Sequence, residues 1–201
     1  KKVNLSANKT HKFSNKLNKD DSIVLERSTK TIVNQVNALK IMVNEFAEYA
    51  RPPKLEKDAI RIDNLVDEVI ELYEISKIIN IQKDKNIPII YADQNKLRQV
   101  IINLIENSQD ALKDIEKPKI KIFIRKYINE VELNIEDNGI GIPDAIIGRI
   151  FEPYVTSKKT GTGLGLAIVH KIIEEHNGSI KIERIDNSGT RVIIKLKSGK
   201  N

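Results

Sequence analysis

A run of four heptads constrains the fold of this chain more than any other feature. Two rows of residues, each spaced by seven and offset by four, form the a and d positions of one seam: Leu25, Ile32, Leu39 and Phe46, with Thr29, Val36, Val43 and Ala50. Such a seam predicts a helix from Asp21 to Ala50 that buries its stripe in a helical hairpin or a dimeric bundle. The alternative is a single surface helix packed on the domain that follows.

Two consecutive prolines end this helix. Neither Pro52 nor Pro53 can donate a backbone hydrogen bond, and the first proline also restricts Arg51. We therefore place a domain boundary here, between residues 1–53 and 54–201. Residues 1–20 are polar and are typical of the end of a helix followed by a loop.

Beyond the boundary, helical and alternating patterns follow one another. The periodicity predicts helices over 63–78, 93–115 and 164–176, with Asp93 as a helix start. It predicts short strands over 59–62 and 80–85 and hairpins from strands over 118–127 and 130–137 and over 179–185 and 190–197.

Five of the nine glycines fall in two short stretches, Asp137–Ile142 and Gly161–Leu166. Glycine lets a backbone approach a ligand closely, so these stretches predict a binding site. The strand before the first stretch has one apolar face, formed by Val131, Leu133 and Ile135. Asp137 follows at the same spacing and therefore lies on that face. A carboxylate on that side needs a partner, such as the amino group of a ligand, whereas the alternative is a turn with a solvated carboxylate.

The second glycine stretch leads into a helix. Free backbone N–H groups at a helix start form a phosphate site, although Gly-x-Gly-x-Gly alone is a weak signal. The preceding helix carries a polar stripe at i, i+3, i+4 and i+7, formed by Asn103, Glu106, Asn107 and Asp110. These side chains can ligate a hydrated Mg²⁺ and place a carboxylate near an attacking group, unless the stripe is only a solvated face.

Composition narrows the remaining possibilities. The chain has no cysteine and three histidines, which excludes disulfides and argues against a dedicated protein-built metal site. The net charge of +6 comes from lysines spread along the chain with few aromatic residues, so we expect no nucleic-acid partner. No apolar run approaches the roughly 18 residues of a membrane span.

Four motifs, in this order and spacing, resemble the N, G1, F and G2 boxes of sensor histidine kinases. They are Asn103-Leu-Ile-Glu-Asn107, Asp137-Asn-Gly-Ile-Gly141, Phe151-Glu-Pro-Tyr154 and Gly161-Thr-Gly-Leu-Gly165. The resemblance covers residues 55–201 as the ATP-binding domain and likens the heptad helix to the second helix of the dimerisation and phosphotransfer hairpin. It implies an α/β sandwich in which a mixed sheet of about five strands is backed by about three helices.

The resemblance also assigns roles residue by residue. Asp137 would bind the adenine amino group with support from Thr190, Asn107 would hold Mg²⁺, and Glu106 would be the general base. Lys158 would face the γ-phosphate from the lid, which is the long segment of residues 138–161. The nucleotide-binding positions are Asn103, Asn107, Asp137, Gly139, Gly141, Lys158, Gly161, Thr162, Gly163, Leu164, Gly165 and Thr190.

The chain departs from the common family pattern in two places. Asp110 stands where many kinases of the family carry a basic or aromatic residue, which is similar to nitrogen-regulation kinases of the NtrY type. The phosphoaccepting His-Glu-x-x-Asn-Pro box is missing, because His11 is followed by Lys-Phe-Ser-Asn. His170 and His176 are most simply interpreted as surface or packing residues. By the resemblance, the chain begins just downstream of its acceptor.

These features predict the kinase core of a two-component sensor that binds Mg·ATP or ADP and does not phosphorylate itself. In the intact protein, phosphoryl would pass from ATP to histidine and then to an aspartate of a response-regulator receiver domain. The resemblance implies a homodimer on the cytoplasmic side, anchored in the inner membrane only through segments upstream of Lys1. The alternatives are a non-catalytic dimerisation module and another ATPase of the superfamily, of the chaperone, gyrase B or mismatch-repair type.

Overall fold

A computed structural model describes residues 19–50, 54–73, 77–158, 161–185 and 189–199. The chain divides into two compact units, Lys1–Pro52 and Pro53–Asn201. His11 and most of the predicted N-terminal loop lie outside the described residues.

In the first unit, helix α1 runs from Lys19 to Ala50, as the heptads predict. Its seam is open to solvent, because Ile32, Leu39 and Phe46 are each at least half exposed. None of the helices in the described part of the chain is both long and apolar enough to cross a membrane.

Among the residues that the structure describes, the second unit has seven strands and four helices. The strands are β1 (Asp58–Ile60), β2 (Ile79–Lys83), β3 (Ile90–Ala92), β4 (Ile120–Lys126), β5 (Glu130–Asp137), β6 (Ser179–Arg184) and β7 (Thr190–Lys197). The helices are α2 (Ile62–Glu71), α3 (Gln94–Ala111), α4 (Asp144–Ile147) and α5 (Gly165–Glu175). The fold is α/β, as predicted.

Five strands form one mixed sheet in the order β2-β4-β5-β7-β6. Strands β2 and β4 are parallel, and all other neighbours are antiparallel. Helix α3 packs against α2 and α5. The core between sheet and helices is mostly aliphatic, with Ile122 and Ile135 from the sheet and Leu104 and Ile168 from the helices.

Strands β1 and β3 form a separate antiparallel pair, which the sequence pattern did not predict. Two helices are shorter than expected: α2 ends at Glu71 rather than near residue 78, and α3 ends at Ala111 rather than near residue 115. The apolar residues beyond these ends extend the helical pattern, although the backbone has already turned away.

The central position of β5 determines the environment of its side chains. Val131, Leu133, Ile135 and Asp137 are buried on one side, as predicted. Glu132 is buried as well, on the side that the alternation assigned to solvent, because it lies opposite Arg125 of β4 and Lys195 of β7. Long neighbouring side chains thus cover the polar face of the central strand.

Candidate functional site

Asp137 is the last residue of β5 and one of the few buried carboxylates, with 6% exposure. Its Oδ1 accepts the backbone N–H of Gly139 at 2.9 Å, and its Oδ2 accepts the hydroxyl of Ser108 at 3.3 Å. Across the sheet it lies in register with Thr190, whose backbone also bonds to the carboxylate. The register thus brings Asp137, Gly139 and Thr190 together, as the sequence proposes.

Burial raises the pKa of Asp137, although hydrogen bonds from Gly139, Ser108 and Thr190 favour the charged form. The described protein groups therefore stabilise this carboxylate incompletely. A ligand that donates a hydrogen bond to it from within the site would offset part of the cost of burying the charge.

The loop after Asp137 is fixed by backbone contacts. Asn138 accepts the N–H of Lys119 at 2.7 Å and donates its amide to the carbonyl of Lys117 at 2.9 Å. The N–H of Ile140 bonds to the carbonyl of Ala111 at the end of α3. The Asn138 side chain therefore holds the loop against residues 117–119 and is not free to contact a ligand.

Gly189 completes this end of the site, where the sequence pattern predicts only the turn between the last two strands. Its φ is +101°, and a Cβ at this position would lie 2.2 Å from the carbonyl oxygen of Asp137. Gly141, with φ +72°, faces the Gly189 backbone. Only glycine allows the two loops to meet directly over the buried carboxylate.

Arg184 ties down the next part of the same loop. Its guanidinium donates to the carbonyl of Ile142 and pairs with Asp144 at 2.6 Å. An arginine on an edge strand carries no sequence signal of this role, since its partners lie about 40 residues away.

The polar stripe of α3 lies beside the lid residue Lys158. The Lys158 Nζ donates to Asn107 Oδ1 and to Asp110 Oδ2, each at 2.6 Å. Lys113 Nζ pairs with the other oxygen of Asp110 at 2.7 Å. Partial burial opposes ionisation of Asp110, yet its pairs with Lys113 and Lys158 outweigh burial and lower its pKa.

Glu106 lies on the exposed surface of α3, one turn before Asp110. Burial and the charge of Glu106 both raise the pKa of Tyr73, which places that phenol near this carboxylate. Because it is exposed, the Glu106 carboxylate is accessible from solvent.

The second glycine stretch meets α3 from the other side. Gly165 begins α5, and a Cβ on it would lie 4.0 Å from Asn103 Oδ1. Thr162 Oγ1 accepts the N–H of Leu164 at 3.3 Å, and the side chain of Leu164 is fully buried. The buried leucine anchors the start of α5, so at this residue only the backbone is available to a ligand.

Gly163 has a φ of +70°, and a Cβ there would lie 2.5–2.8 Å from backbone atoms of Tyr154 and Val155. The carbonyl of Gly163 also accepts the N–H of Tyr154 at 3.0 Å. The backbone at Tyr154 and Val155 thus lies directly against Gly163, with no space for a side chain. Gly161 donates its N–H to the carbonyl of Lys158 at 3.4 Å.

Asp93 and His176 join α3 and α5 at the ends remote from Lys158. Asp93 caps α3 by accepting the N–H groups of Asn95 and Lys96, and it also accepts the N–H of Glu56. His176 is buried, and its Nε2 accepts the N–H of Asp93 at 2.9 Å. Its Nδ1 lies 2.7 Å from the carbonyl of Ile172, so Nδ1 carries the proton.

The two described histidines are therefore packing residues, as the sequence suggests. Both ring nitrogens of His176 are engaged, and burial lowers its pKa. His170 stacks on Phe151 of the F box with centroids 4.6 Å apart, and its Nδ1 lies 3.3 Å from Glu174.

The fold brings the predicted residues into two groups on α3. Asp137, Gly139, Gly141 and Thr190 meet at one end of α3, whereas Asn103, Asn107, Lys158 and Gly165 meet along its polar stripe. Ser108, which donates its hydroxyl to Asp137, is not among the site residues predicted from the sequence. Ser108 is a hydroxyl on the apolar stripe of α3, four residues after Leu104 and four before Leu112, and that mismatch was its signal.

The donor set fits a magnesium ion. Asn107 Oδ1 already faces the ammonium of Lys158 at 2.6 Å, so this oxygen points to a place that accommodates a cation. Among the described residues, no cluster of three histidine, cysteine or acidic side chains forms a metal cage. An ion here would depend on Asn107, on water and on a ligand's phosphates, which is typical of Mg²⁺.

Comparison with protein families identifies most of the second unit. Residues 92–200 match the model for the histidine kinase-, DNA gyrase B- and HSP90-like ATPases. The nitrogen regulation protein NtrY of Azorhizobium caulinodans is 31% identical over 188 residues, covering 90% of this chain and 24% of that protein. Sporulation kinase A of Bacillus subtilis is 32% identical over 165 residues, covering 79% of this chain and 27% of that protein. The chain thus spans about a quarter of these relatives.

Solved structures show the same fold. The catalytic domain of histidine kinase ThkA is 34% identical with a TM-score of 0.63, covering 71% of this chain and 96% of that domain. ThkA in complex with the response regulator TrrA is 30% identical with a TM-score of 0.71, covering 87% of this chain and 52% of that one. The fold class and the likeness to NtrY that the sequence predicted are both confirmed.

Proposed function

Because the chain belongs to the histidine kinase-, DNA gyrase B- and HSP90-like ATPases, we propose that it is the nucleotide-binding kinase core of a two-component sensor. It binds ATP and ADP with Mg²⁺ and, in the intact protein, directs the γ-phosphoryl group to a histidine. The likeness to NtrY and to sporulation kinase A supports a histidine kinase over the other members of the family.

The observation that carries this proposal is the environment of Asp137. A carboxylate with 6% exposure stands at the end of a central strand and is stabilised by only a few protein hydrogen bonds. It suits a ligand that offers an N–H donor in a flat, enclosed place, and the adenine amino group is such a donor. Thr190 and the glycine loops at 139–141 surround that position.

The phosphates occupy the other end of the site in this proposal. Asn103 and the backbone of Gly161, Thr162, Gly163, Leu164 and Gly165 lie at the start of α5, where free N–H groups and the helix dipole favour an anion. Lys158 supplies a positive charge from the lid to the terminal phosphate. Asn107 provides the protein oxygen for Mg²⁺, which neutralises phosphate charge when it is bound.

Glu106 acts as the general base for the attacking histidine. Its carboxylate is exposed on the same face of α3 as Asn103 and Asn107, where a second substrate can reach it. Glu106 would accept the proton from one nitrogen of the imidazole ring while the other nitrogen attacks the γ-phosphorus and ADP leaves. Positioning and charge neutralisation, rather than covalent chemistry by the protein, then account for most of the rate.

We assign residues 1–53 to a partial dimerisation and phosphotransfer hairpin and residues 54–201 to the catalytic domain. The exposed seam of α1 supports pairing with a second copy. The complex of ThkA with TrrA supports a response-regulator receiver domain as the partner that takes the phosphoryl group. Membrane attachment of the full protein, with this core on the cytoplasmic side, completes the proposal.

The test uses γ-labelled ATP with the full protein that contains this chain. We expect acid-labile label on the full protein and none on residues 1–201, because the chain has no His-Glu box and His176 is buried. Glu106→Gln lowers labelling of the full protein at least about 100-fold while leaving ADP affinity within about twofold. Stable label on residues 1–201, or full labelling by the Glu106→Gln protein, would overturn the assignment.

A further inference from the structure

The ammonium group of Lys158 makes a contact that its proposed role does not require. It lies 2.6 Å from Asn107 Oδ1, the atom that the proposed function gives to Mg²⁺. Two cations cannot share one amide oxygen at such distances, because their mutual repulsion is large and the site is partly shielded from water. The lysine in this position and a metal on Asn107 therefore exclude each other.

A carboxylate holds the lysine there. Asp110 Oδ2 accepts the Lys158 ammonium at 2.6 Å, and both side chains are only about one third exposed. A neutral amide alone would not hold a strongly hydrated ammonium, whereas a partly buried carboxylate does so. The N–H of Lys158 also bonds to Thr156 Oγ1 at 3.0 Å, which fixes the backbone of the lid at this point.

The chain offers a second lysine on the same carboxylate. Lys113 Nζ lies 2.7 Å from Asp110 Oδ1 but is 70% exposed and follows Asp110 by three residues on the same segment. The structure gives this lysine no contact with Asn107. Lys113 and Lys158 therefore contribute similar charge near Asp110 and differ in whether they block the amide oxygen.

We propose that Asp110 is a positioning residue that holds Lys158 against Asn107 Oδ1, so that Mg²⁺ and nucleotide must displace the lysine before they bind. This inference rests on the proposed nucleotide function. It explains why this helix carries an acid beside its metal-binding amide: the acid keeps the lid lysine close to the site after the lysine leaves Asn107.

The anchoring step is tested without nucleotide. The chain is treated with a small amine-reactive acylating reagent, and the rate at which Lys158 is modified is followed by mass spectrometry. We expect Asp110→Asn to raise the rate at Lys158 at least about threefold, because the ion pair shields the amine. Asp110→Glu should largely restore protection, and Asp114→Asn, which removes a neighbouring exposed carboxylate, should change nothing. Equal rates in the wild-type and Asp110→Asn proteins would overturn the proposal.

The displacement step is tested by ADP binding as a function of Mg²⁺ concentration. We expect Lys158→Met to lower the Mg²⁺ concentration at half-maximal binding about fivefold, as it would if the amide oxygen were free only about a fifth of the time. Lys113→Met, the matched control, should change it less than about twofold. Equal shifts of this Mg²⁺ concentration in the two variants would show that only the loss of one positive charge matters. That result would overturn the proposed displacement of Lys158.

The two tests also separate this inference from the proposed function. Failure of the wild-type chain to bind ADP at any Mg²⁺ concentration would contradict the proposed function and, with it, the displacement. The acylation rates would still decide whether Asp110 holds Lys158. Normal ADP binding with no effect of Lys158→Met would contradict the inference alone.

Discussion

At the scale of single residues, the site depends on how one buried charge is satisfied. Asp137 receives hydrogen bonds from two backbone groups and the Ser108 hydroxyl, and burial still raises its pKa. Each of these donors comes from a different element, since Gly139 follows β5, Ser108 is on α3 and Thr190 begins β7. A ligand bound to Asp137 is thereby coupled to the sheet and to the helix that carries Asn107.

The glycine at 163 gives a direct test of the lid geometry. Gly163→Ala places a Cβ within 3 Å of the Tyr154 backbone at a φ of +70°. We expect a loss of at least about 2 kcal/mol in the free energy of unfolding, because the left-handed conformation alone costs about 1–2 kcal/mol. Urea denaturation followed by circular dichroism measures it.

Gly148 is the matched control for this substitution. Its φ is −70°, and nothing lies within 4 Å of a Cβ built there. Gly148→Ala should change stability by no more than about 0.5 kcal/mol. Equal effects of the two substitutions would show that the close approach at Gly163 is not rigid.

His176 predicts a pH dependence of stability. Its pKa in the folded protein is lowered by burial from the ordinary 6.5. Below pH 6.5 the unfolded chain binds a proton at this histidine that the folded chain does not bind. The free energy of unfolding therefore decreases as the pH is lowered, by up to about 1.4 kcal/mol per pH unit. Denaturant unfolding between pH 5 and pH 8 should show this slope.

The variant His176→Gln should be less stable overall but should lose this slope. His170→Gln should keep it, because His170 is a partly exposed histidine on the same helix. The neighbouring Asp93 has a pKa below its ordinary value. Its contribution to stability is therefore lost only at more acid pH, as the pH falls through the pKa of Asp93 in the folded protein. Parallel pH curves for the wild-type and His176→Gln proteins would contradict the buried neutral imidazole.

At the scale of elements, helix α3 is the part of the molecule that both halves of the site share. The sequence predicted its start, because Asp93 is a strong N-cap and the apolar stripe from Leu97 to Leu112 is regular. It did not predict its end, since Leu112 and Ile115 continue the stripe while the chain turns at Ala111 to bond with Ile140. That contact joins residues about 30 positions apart, and local periodicity carries no record of it.

The same limit applies to the strands. Alternation predicted the burial of Asp137, because parity is a local property of β5. The pairing of β1 with β3, the approach of Gly189 to Asp137 and the contact between Lys158 and Asp110 all depend on distant segments. A family resemblance supplied several of the site residues, but it gave no indication of what holds them in place.

The Asp93 side chain tests how the start of α3 is fixed. Asp93→Ala removes the cap of α3 and the acceptor for Glu56, and we expect it to cost about 2 kcal/mol. Asp93→Asn keeps an oxygen for the cap and loses only the bond to Glu56, so it should cost less than about 1 kcal/mol. Hydrogen exchange at the amides of Asn95 and Lys96 should rise in the alanine variant alone; equal exchange in both variants would contradict the cap.

At the scale of the whole molecule, the chain is two units with different requirements. The second unit buries its own core, whereas α1 leaves Ile32, Leu39 and Phe46 exposed. An apolar seam of this length is typical of a helix that pairs in a bundle. The proposed homodimer is therefore a claim about α1 and is separable from nucleotide binding.

Light scattering coupled to gel filtration tests the dimer. We expect the wild-type chain to dimerise at micromolar concentration and Leu39→Glu to be monomeric, because a charge would enter the seam. Lys40→Glu changes the charge of the adjacent exposed residue and should stay dimeric. A monomeric wild-type chain, or a dimeric Leu39→Glu protein, would contradict pairing through this seam.

The most direct test of the whole account is a calorimetric titration of the chain with ADP and inosine diphosphate, with and without Mg²⁺. Inosine presents an oxygen where adenine presents its amino group. If Asp137 accepts that amino group, ADP binds at least about tenfold more tightly than inosine diphosphate. Asp137→Asn then weakens ADP binding about 10-fold to 100-fold and removes most of the preference, while Asp58→Asn changes neither. Equal affinity for the two nucleotides, or unchanged ADP binding by Asp137→Asn, would contradict the account.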